Sequence, residues 1–282
     1  MKHEVFISYF TAWRRVARAI AFFAFPCSLL AANEDAFRLA GQTVKPGGTL
    51  EIQFPVAADF QDYAAAGGNP RPERGRALLM FPARFDPKQR WPLLIITSTT
   101  DANRTSPMDA WWYRHPAMAE GWVVLATDAA IRPRQDSTMW RMGMLAAGLQ
   151  EIRREWPQSA QWPVAFAGLS GGAKRSGVLA AMLAKSGTVN ICGMFLSGIN
   201  DDRVSPAYRD YGPPPNFLNV PIWLSSGSGD GIAPPAAHDR VKLSLERAGF
   251  TRVRVEGFDG GHELKPAEVQ RALRWFRQLG KF

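Results

Sequence analysis

The chain has 282 residues, of which 46% are hydrophobic and 21% charged, and its formal net charge is +9. This is the composition of a globular protein with enough residues for one α/β domain and a large core. The basic residues are spread out, without a basic run interleaved with aromatics, so nucleic-acid binding is not indicated. We interpret the charge as a solvated surface that favours anionic surfaces or substrates.

The first 32 residues are typical of a secretory signal peptide. Arginines at 14, 15 and 18 precede an apolar run over 19–30, and alanines at 31 and 32 suit a cleavage point. The apolar run is too short for a comfortable membrane span. We therefore predict export from a bacterial cytoplasm to a periplasmic or extracellular location. Residues 33–282 are predicted to form a single domain without a stable membrane span.

The chain has two cysteines, and only one of them remains after removal of the predicted leader. Cys27 falls within the leader, whereas Cys192 lies in an apolar run over 190–196 that predicts a buried strand. We expect Cys192 to act as a small buried hydrophobe rather than as a reactive thiol.

Taken in order, the chain begins with a strand predicted at 49–56, an exposed loop over 62–75 and a strand at 77–81. Further strands are predicted at 91–97, 122–127, 164–167, 191–196, 221–226 and 253–255, and helices at 108–120, 138–156, 173–183, 236–248 and 266–279. A long proline-rich connection is predicted over 197–220. The alternation of strands and helices predicts an α/β fold with a mainly parallel central sheet flanked by helices on both faces.

A possible nucleophile lies at the junction of one predicted strand and helix. Residues 163–177 have the sequence PVAFAGLSGGAKRSG, which predicts a strand, a tight turn with Ser170 at its tip, and a helix. The motif is G-x-S-x-G, in which Gly168 and Gly172 let the strand and helix backbones pass without a Cβ clash. The alternative is an ordinary serine in a glycine-rich turn.

A serine hydroxyl needs an adjacent base, and the chain contains four histidines. His3 belongs to the predicted leader, His115 lies within a predicted helix, and His238 is predicted to be a solvated residue at a helix start. His262 is the one histidine in a loop that follows a strand, where ligands meet parallel sheets. We therefore predict His262 as the base.

A carboxylate that orients this base is predicted at Asp230. It follows the strand at 221–226 on a glycine-rich turn. The alternative for Asp230 is a turn aspartate that caps the following segment. Asp201, Asp202 and Asp128 also follow predicted strands and remain rivals for the role.

From Trp91 to Phe282 the chain resembles an α/β-hydrolase. The residues GLSGG at 168–172, GSGDGIAP at 227–234 and DGGH at 259–262 match that superfamily's nucleophile, acid and base positions. The resemblance is closest to secreted esterases related to polyhydroxybutyrate depolymerases, feruloyl esterases and dienelactone hydrolases.

The resemblance implies a secreted serine esterase with the catalytic triad Ser170, Asp230 and His262, in the chain order of α/β-hydrolases. It implies an acyl-enzyme intermediate, a small-molecule or polymeric ester substrate, and no metal or organic cofactor. The alternatives are a peptidase on the same fold and a catalytically silent exported binding protein.

The resemblance is incomplete in the loop after the strand at 91–97. The family commonly has His-Gly there, whereas this chain has Thr97-Ser98-Thr99-Thr100. A backbone N–H can come from any residue except proline, so an oxyanion hole is still expected. We predict that Gly171 supplies one N–H group and Thr99 or Thr100 the other.

Two groups of side chains are candidates for contact with substrate. Trp111, Trp112 and Tyr113 are predicted to wall the cleft, although packing in the core is the ordinary role of such aromatics. The other group could meet an acidic substrate, although solvated charge is its ordinary role; it comprises Arg132, Arg134 and Arg141.

Overall fold

The computed structural model describes residues 37–99 and 104–282. The predicted leader and Thr100 lie outside the described residues. Within them the strands are β1 (Arg38–Leu39), β2 (Gln42–Thr43), β3 (Thr49–Pro55), β4 (Arg74–Met80), β5 (Leu93–Thr97), β6 (Val123–Ala129), β7 (Pro163–Leu169), β8 (Asn190–Ser197), β9 (Ile222–Gly227) and β10 (Val253–Phe258). The α-helices described are α1 (Ala58–Ala65), α2 (Ser106–Ala119), α3 (Thr138–Glu155), α4 (Gly171–Lys185), α5 (Val204–Tyr211), α6 (Pro235–Arg247) and α7 (Pro266–Gly280).

Strands β3 to β10 form one eight-stranded sheet in the order β10-β9-β8-β7-β5-β6-β4-β3, and β1 pairs with β2 in a separate hairpin. The strands from β5 to β10 pair in parallel, whereas β4 is antiparallel to both β3 and β6. β7 lies between β5 and β8. The predicted mainly parallel α/β sheet is confirmed.

The central strands are apolar throughout because helices cover both faces of the sheet. In β5, Leu93 and Ile95 pack into one core layer, and Leu94 and Ile96 into the other. The first layer contains side chains of α1, α3, α4, α5 and α6, and the second contains side chains of α2 and α7. The continuous apolar runs of the sequence therefore correspond to strands buried on both sides.

Cys192 is buried on β8, as predicted, and its burial raises the pKa of the thiol. Among the described helices, none has the length and apolar character required to cross a bilayer. The described part of the chain also holds no cluster of three or more His, Cys, Asp or Glu side chains placed to hold a metal ion.

Two segments predicted as irregular contain helices. The loop predicted over 62–75 includes the end of α1 and the start of β4, and the connection predicted over 197–220 contains α5. α1 has no side-chain cap, so its sequence lacks the main signal for the start of a helix. Its packing instead depends on Gly143 of α3, where a Cβ atom would lie only 2.9 Å from the Cβ of Ala64.

Close packing of β8 against α7 predicts a large cost for one added methyl group. A Cβ atom at Gly193 of β8 would overlap the buried ring of Phe276. We expect Gly193→Ala to lower the free energy of unfolding by about 1–3 kcal/mol, since overpacking forces side-chain and backbone shifts. Urea denaturation measures the change.

The matched control is Gly257→Ala on β10, where the nearest atom to an added Cβ lies 3.9 Å away. This variant should stay within about 0.5 kcal/mol of the wild type or gain slightly. Equal unfolding free energies for the two variants would refute the packing described between β8 and α7.

Candidate active site

Ser170 lies in a strained turn between β7 and α4. Its φ of 59° and ψ of −122° are unusual for a residue with a side chain. The turn has no room for larger neighbours, because a Cβ atom at Gly168 would overlap the backbone of Gly172. A Cβ atom at Gly172 would in turn overlap the Thr97 carbonyl oxygen. The two glycines thus let the chain reverse tightly, and Ser170 remains partly exposed.

His262 and Asp230 form a hydrogen-bonded pair at the same edge of the sheet. The distance between His262 Nδ1 and Asp230 Oδ2 is 2.7 Å. Asp230 Oδ1 also accepts the N–H groups of Ile232 and Ala233, both at 2.8 Å. Asp230 is therefore both the turn-capping aspartate and the partner of His262, two roles that the sequence presents as alternatives.

The surroundings keep Asp230 ionised at neutral pH. Burial alone would raise the pKa of this carboxyl group, but the donors at Ala233, His262 and Ile232 together hold its pKa below the ordinary value. A carboxylate that accepts from Nδ1–H places the proton on that nitrogen. Nε2 of His262 then has a free lone pair and can act as a base.

Two separate contacts bring Ser170 and His262 to the C-terminal end of β8. The Ser170 N–H donates to the Ser197 carbonyl oxygen at 2.8 Å. At the next residue, Gly198, a Cβ atom would lie 2.8 Å from His262 Cε1 and 3.0 Å from Leu169 Cδ1. The imidazole ring therefore lies over Gly198 and beside the residue that precedes Ser170.

The rival carboxylates are engaged elsewhere. Asp202 Oδ1 accepts the N–H groups of Val204 and Ser205 at the start of α5, and its Oδ2 accepts from the Ser244 hydroxyl group. Asp201 pairs with Arg203 at the surface. Asp128, the third rival, accepts from the Ala129 N–H and from Arg76. Asp230 is the candidate that contacts His262.

His238, expected to be solvated, is fully buried. Its Nε2 accepts the Ile199 N–H at 3.2 Å, and its Nδ1 lies 3.4 Å from the Pro234 carbonyl oxygen. Burial lowers the pKa of His238, which favours the neutral ring that these two contacts require. The side chain thus joins the Asp230 turn to the chain after Gly198. A helical position alone carries no signal for this role.

Thr99 lies against the residue that follows Ser170. A Cβ atom at Gly171 would lie 3.0 Å from Thr99 Cγ2 and 3.3 Å from its Oγ1. The Thr99 hydroxyl group donates to the Leu169 carbonyl oxygen at 3.4 Å. The predicted contributors Gly171 and Thr99 are therefore neighbours.

Arg141 of α3 joins the loop after β5 to the loop after β6 through its five N–H groups. It donates to both carboxylate oxygens of Asp136, with Nε 2.7 Å from Oδ1. It donates to the hydroxyl groups of Ser98 and Ser106 at 2.8 and 2.9 Å, and to the Thr99 carbonyl oxygen at 3.3 Å. Because its five N–H groups are used, Arg141 has a positioning role. Direct contact with an acidic substrate, which the sequence suggested, is not favoured.

Asp136 also contacts the helix that follows Ser170. Its carbonyl oxygen accepts from Arg175 Nη2 at 3.3 Å, and its carboxylate lies 3.9 Å from Arg175 Nη1. The loops after β5 and β6 and the first turns of α4 are thus joined by two arginines and one aspartate. The sequence offered no local signal for this network.

The aromatic residues predicted to line the substrate cleft lie in the core or on the outer surface of α2. Tyr113 is buried and packs edge-to-face against Phe195 beneath the sheet, so its predicted role in substrate binding is wrong. Trp111 and Trp112 are 46% and 42% exposed on α2, each beneath an arginine guanidinium group. A cavity beside the start of α2 is lined instead by Trp140 and several arginines.

No family model matches the sequence, and no curated protein matches it either. Solved structures do match over most of the chain. A hyperthermophilic esterase from the archaeon Pyrobaculum calidifontis superposes with a TM-score of 0.56 at 15% identity, covering 83% of this chain and 84% of that one.

A bacterial heroin esterase gives a TM-score of 0.56 at 16% identity, covering 81% of this chain and 84% of its own. A ferulic acid esterase gives 0.55 at 11% identity, covering 82% of this chain and 99% of its own. At these identities the likeness concerns the fold, and with the sheet order it shows that the chain has the α/β-hydrolase fold.

Proposed function

We propose that the protein is a serine ester hydrolase in which Ser170, His262 and Asp230 act as nucleophile, base and orienting acid. The observation that carries the proposal is the meeting of a strained, partly exposed serine and a His–Asp pair at the end of β8. It is supported by the structurally similar proteins, three of which are esterases. The character of residues 1–32 supports the further proposal of export to a periplasmic or extracellular location.

In the acylation step His262 Nε2 removes the proton of Ser170 Oγ as this oxygen attacks the ester carbonyl carbon. Within the described residues no hydrogen bond joins Ser170 to His262, and the proposed step requires this bond to form in the complex with substrate. The tetrahedral intermediate collapses as His262 returns the proton to the alcohol oxygen, and the alcohol departs. Asp230 stabilises the imidazolium ion meanwhile.

The developing negative charge on the carbonyl oxygen requires fixed donors. The Gly171 N–H and an N–H from Thr99 or Thr100 are proposed for this role, since Thr99 packs against Gly171. Water then attacks the acyl-enzyme with His262 again acting as the base. This releases the acid and restores the serine.

Ser170→Ala tests the nucleophile. We expect kcat for 4-nitrophenyl butyrate to fall by at least about 10³-fold, and covalent labelling by a fluorophosphonate probe to be lost. The matched control is Ser228→Ala, an exposed serine on the Asp230 turn, which should keep both activity and labelling. Absence of labelling in the wild type would favour a catalytically silent binding protein. A wild type that cleaves a matched amide as fast as the ester would favour a peptidase.

Asp230→Asn tests the orienting acid against Asp202→Asn. Asp230→Asn retains the side-chain shape but no longer selects the Nδ1–H tautomer, so kcat should fall by about 10²–10⁴-fold. Asp202→Asn disturbs only the start of α5 and its contact with Ser244, so kcat should stay within about twofold of the wild type. Steady-state kinetics distinguish the two. Inactivation by Asp202→Asn alone would show that the acid is misassigned.

Arg141→Lys tests the anchoring of the loop after β5. Lysine keeps the charge but cannot reach Asp136, Ser98 and Thr99 together. Loss of one oriented oxyanion donor costs about 2.7–4 kcal/mol of barrier, so we expect kcat to fall by about 10²–10³-fold with little change in KM. Arg154→Lys, at an exposed position of the same helix, is the control. A change confined to KM would argue against positioning.

A further inference from the structure

A cavity of about 580 Å³ lies among the segments that follow β5 and β6, at the same edge of the sheet that carries Ser170. We call it the arginine cavity. Its described lining includes five arginines and only two carboxylates; these residues are Arg76, Arg104, Arg132, Arg134, Arg141, Asp128 and Asp136. The excess of positive charge makes the cavity suited to an anionic group.

The arginine cavity is connected to the candidate active site by side chains of its lining. Arg141 lines the cavity and donates to the Thr99 carbonyl oxygen, and Thr99 packs against Gly171. Asp136, also in the lining, contacts Arg175 on the helix that begins after Ser170. Arg141 and Asp136 thus connect the cavity to the residues around Ser170.

Three of the arginines have partners within the protein. Arg141 uses all its N–H groups. Arg76 donates to the Ala129 carbonyl oxygen at 3.0 Å and to a carboxylate oxygen of Asp128 at 3.4 Å. Arg104 pairs with a buried aspartate at 3.4 Å, and its guanidinium group lies 4.6 Å from the centre of the Trp112 ring.

Arg132 and Arg134 differ from the others. Both are exposed, both line the cavity, and neither has a hydrogen bond or ion pair with any described residue. They stand two positions apart, with Pro133 between them restricting the backbone. Two guanidinium groups are thus available at the rim of the cavity.

The loop that carries them is anchored at its far end. Asn69, which is buried, donates to the Gln135 carbonyl oxygen and accepts the Gln135 N–H, both at 2.8 Å. The next residue, Asp136, is held by Arg141. An anchored loop loses less conformational freedom when a ligand binds, which favours recognition by Arg132 and Arg134.

We propose that the arginine cavity binds a carboxylate carried by the ester substrate, with Arg132 and Arg134 as its ligands. The inference rests on the proposed esterase function and narrows its substrate class to esters with a second, ionised carboxyl group. The planar guanidinium fork matches the two oxygens of a carboxylate, and such charge-assisted hydrogen bonds are stronger than neutral ones. Arg141 fixes the wall between the carboxylate and the reacting carbonyl group.

The experiment compares kcat/KM for hydrolysis of the phenyl ester bond in two pairs of esters, each a free carboxylate and its methyl ester, with the spontaneous rate subtracted. With the carboxylate on the acyl side the pair is 4-nitrophenyl hydrogen glutarate and its methyl ester; on the alcohol side it is 4-butyryloxybenzoate and its methyl ester. We expect the wild type to prefer the charged member of at least one pair by about tenfold. The preference should shrink as ionic strength rises.

The double variant Arg132→Gln/Arg134→Gln should lower this preference to about one, and each single variant should lower it in part. The control Arg84→Gln replaces an exposed arginine after β4, at the opposite edge of the sheet, and should retain the preference. The ratio of kcat/KM for the charged ester to that for its methyl ester is measured on one preparation of each variant. A lower folded fraction reduces both values equally and leaves the ratio unchanged.

A wild type without preference for either charged ester, or a preference that the double variant retains, overturns the proposal. The proposed function fails in a different way, namely if the neutral methyl esters are not hydrolysed or are hydrolysed equally by Ser170→Ala. If neutral esters are hydrolysed through Ser170 and no charge preference is found, only the proposed binding of a carboxylate in the arginine cavity is refuted.

Discussion

The close approach of three backbones at Ser170 is the constraint on which the site depends. β7 runs into α4 through residues 168–172, and the carbonyl of Thr97 at the end of β5 occupies the space that a Cβ atom of Gly172 would need. The Thr97 hydroxyl group donates to the Gly172 carbonyl oxygen at 2.6 Å and lies 2.8 Å from the Ser176 hydroxyl oxygen, so the end of β5 is joined to the first two turns of α4. A positive φ at a non-glycine residue costs of order 1–3 kcal/mol, and the packing of β5, β7 and α4 stabilises this conformation at Ser170.

Polar contacts extend from this turn to both sides along the sheet edge. On one side, the turn after β9 presents Asp230, whose pKa is lowered by backbone N–H donors and by His262. His238 connects that turn to the chain after β8 by accepting the Ile199 N–H. On the other side, Arg141 fastens the loop after β5 to the loop after β6. Buried charges are costly unless they are paired, and the Arg141–Asp136 pair is fully hydrogen-bonded on the arginine side. The edge therefore holds oriented groups on both sides of Ser170, as electrostatic stabilisation of a transition state demands.

Much of this arrangement could be predicted from local patterns. The apolar run of β5 marks a strand covered on both faces, and the glycines around Ser170 mark a turn where Cβ atoms do not fit. Asp230 and His262 each follow a strand, and parallel strands bring their C-terminal ends to one edge of the sheet. The fold is confirmed, and the structure brings Asp230 and His262 into contact, whereas their catalytic roles stay predictions.

The remainder depends on contacts between residues distant in sequence. His238 has the spacing of an ordinary helical residue, and only the fold places Ile199 against it. Nothing near Asn69 in the sequence indicates that it anchors Gln135. Tyr113 is a residue type common in binding sites, yet its position on α2 places its ring against Phe195 of the sheet. Local chemistry thus indicates the reacting groups, but the side chains that hold them in position are recognised only from the fold.

Ser170 Oγ is proposed as the nucleophile, and the N–H groups beside it are proposed to bind the oxyanion. A crystal structure of the protein after reaction with a fluorophosphonate tests this directly. We expect a covalent bond between phosphorus and Ser170 Oγ, and a phosphonyl oxygen that accepts from the Gly171 N–H and from an N–H of Thr99 or Thr100. His262 should contact Ser170 while it keeps its hydrogen bond to Asp230. A phosphonate attached to another residue, or a phosphonyl oxygen turned away from Gly171, would contradict it.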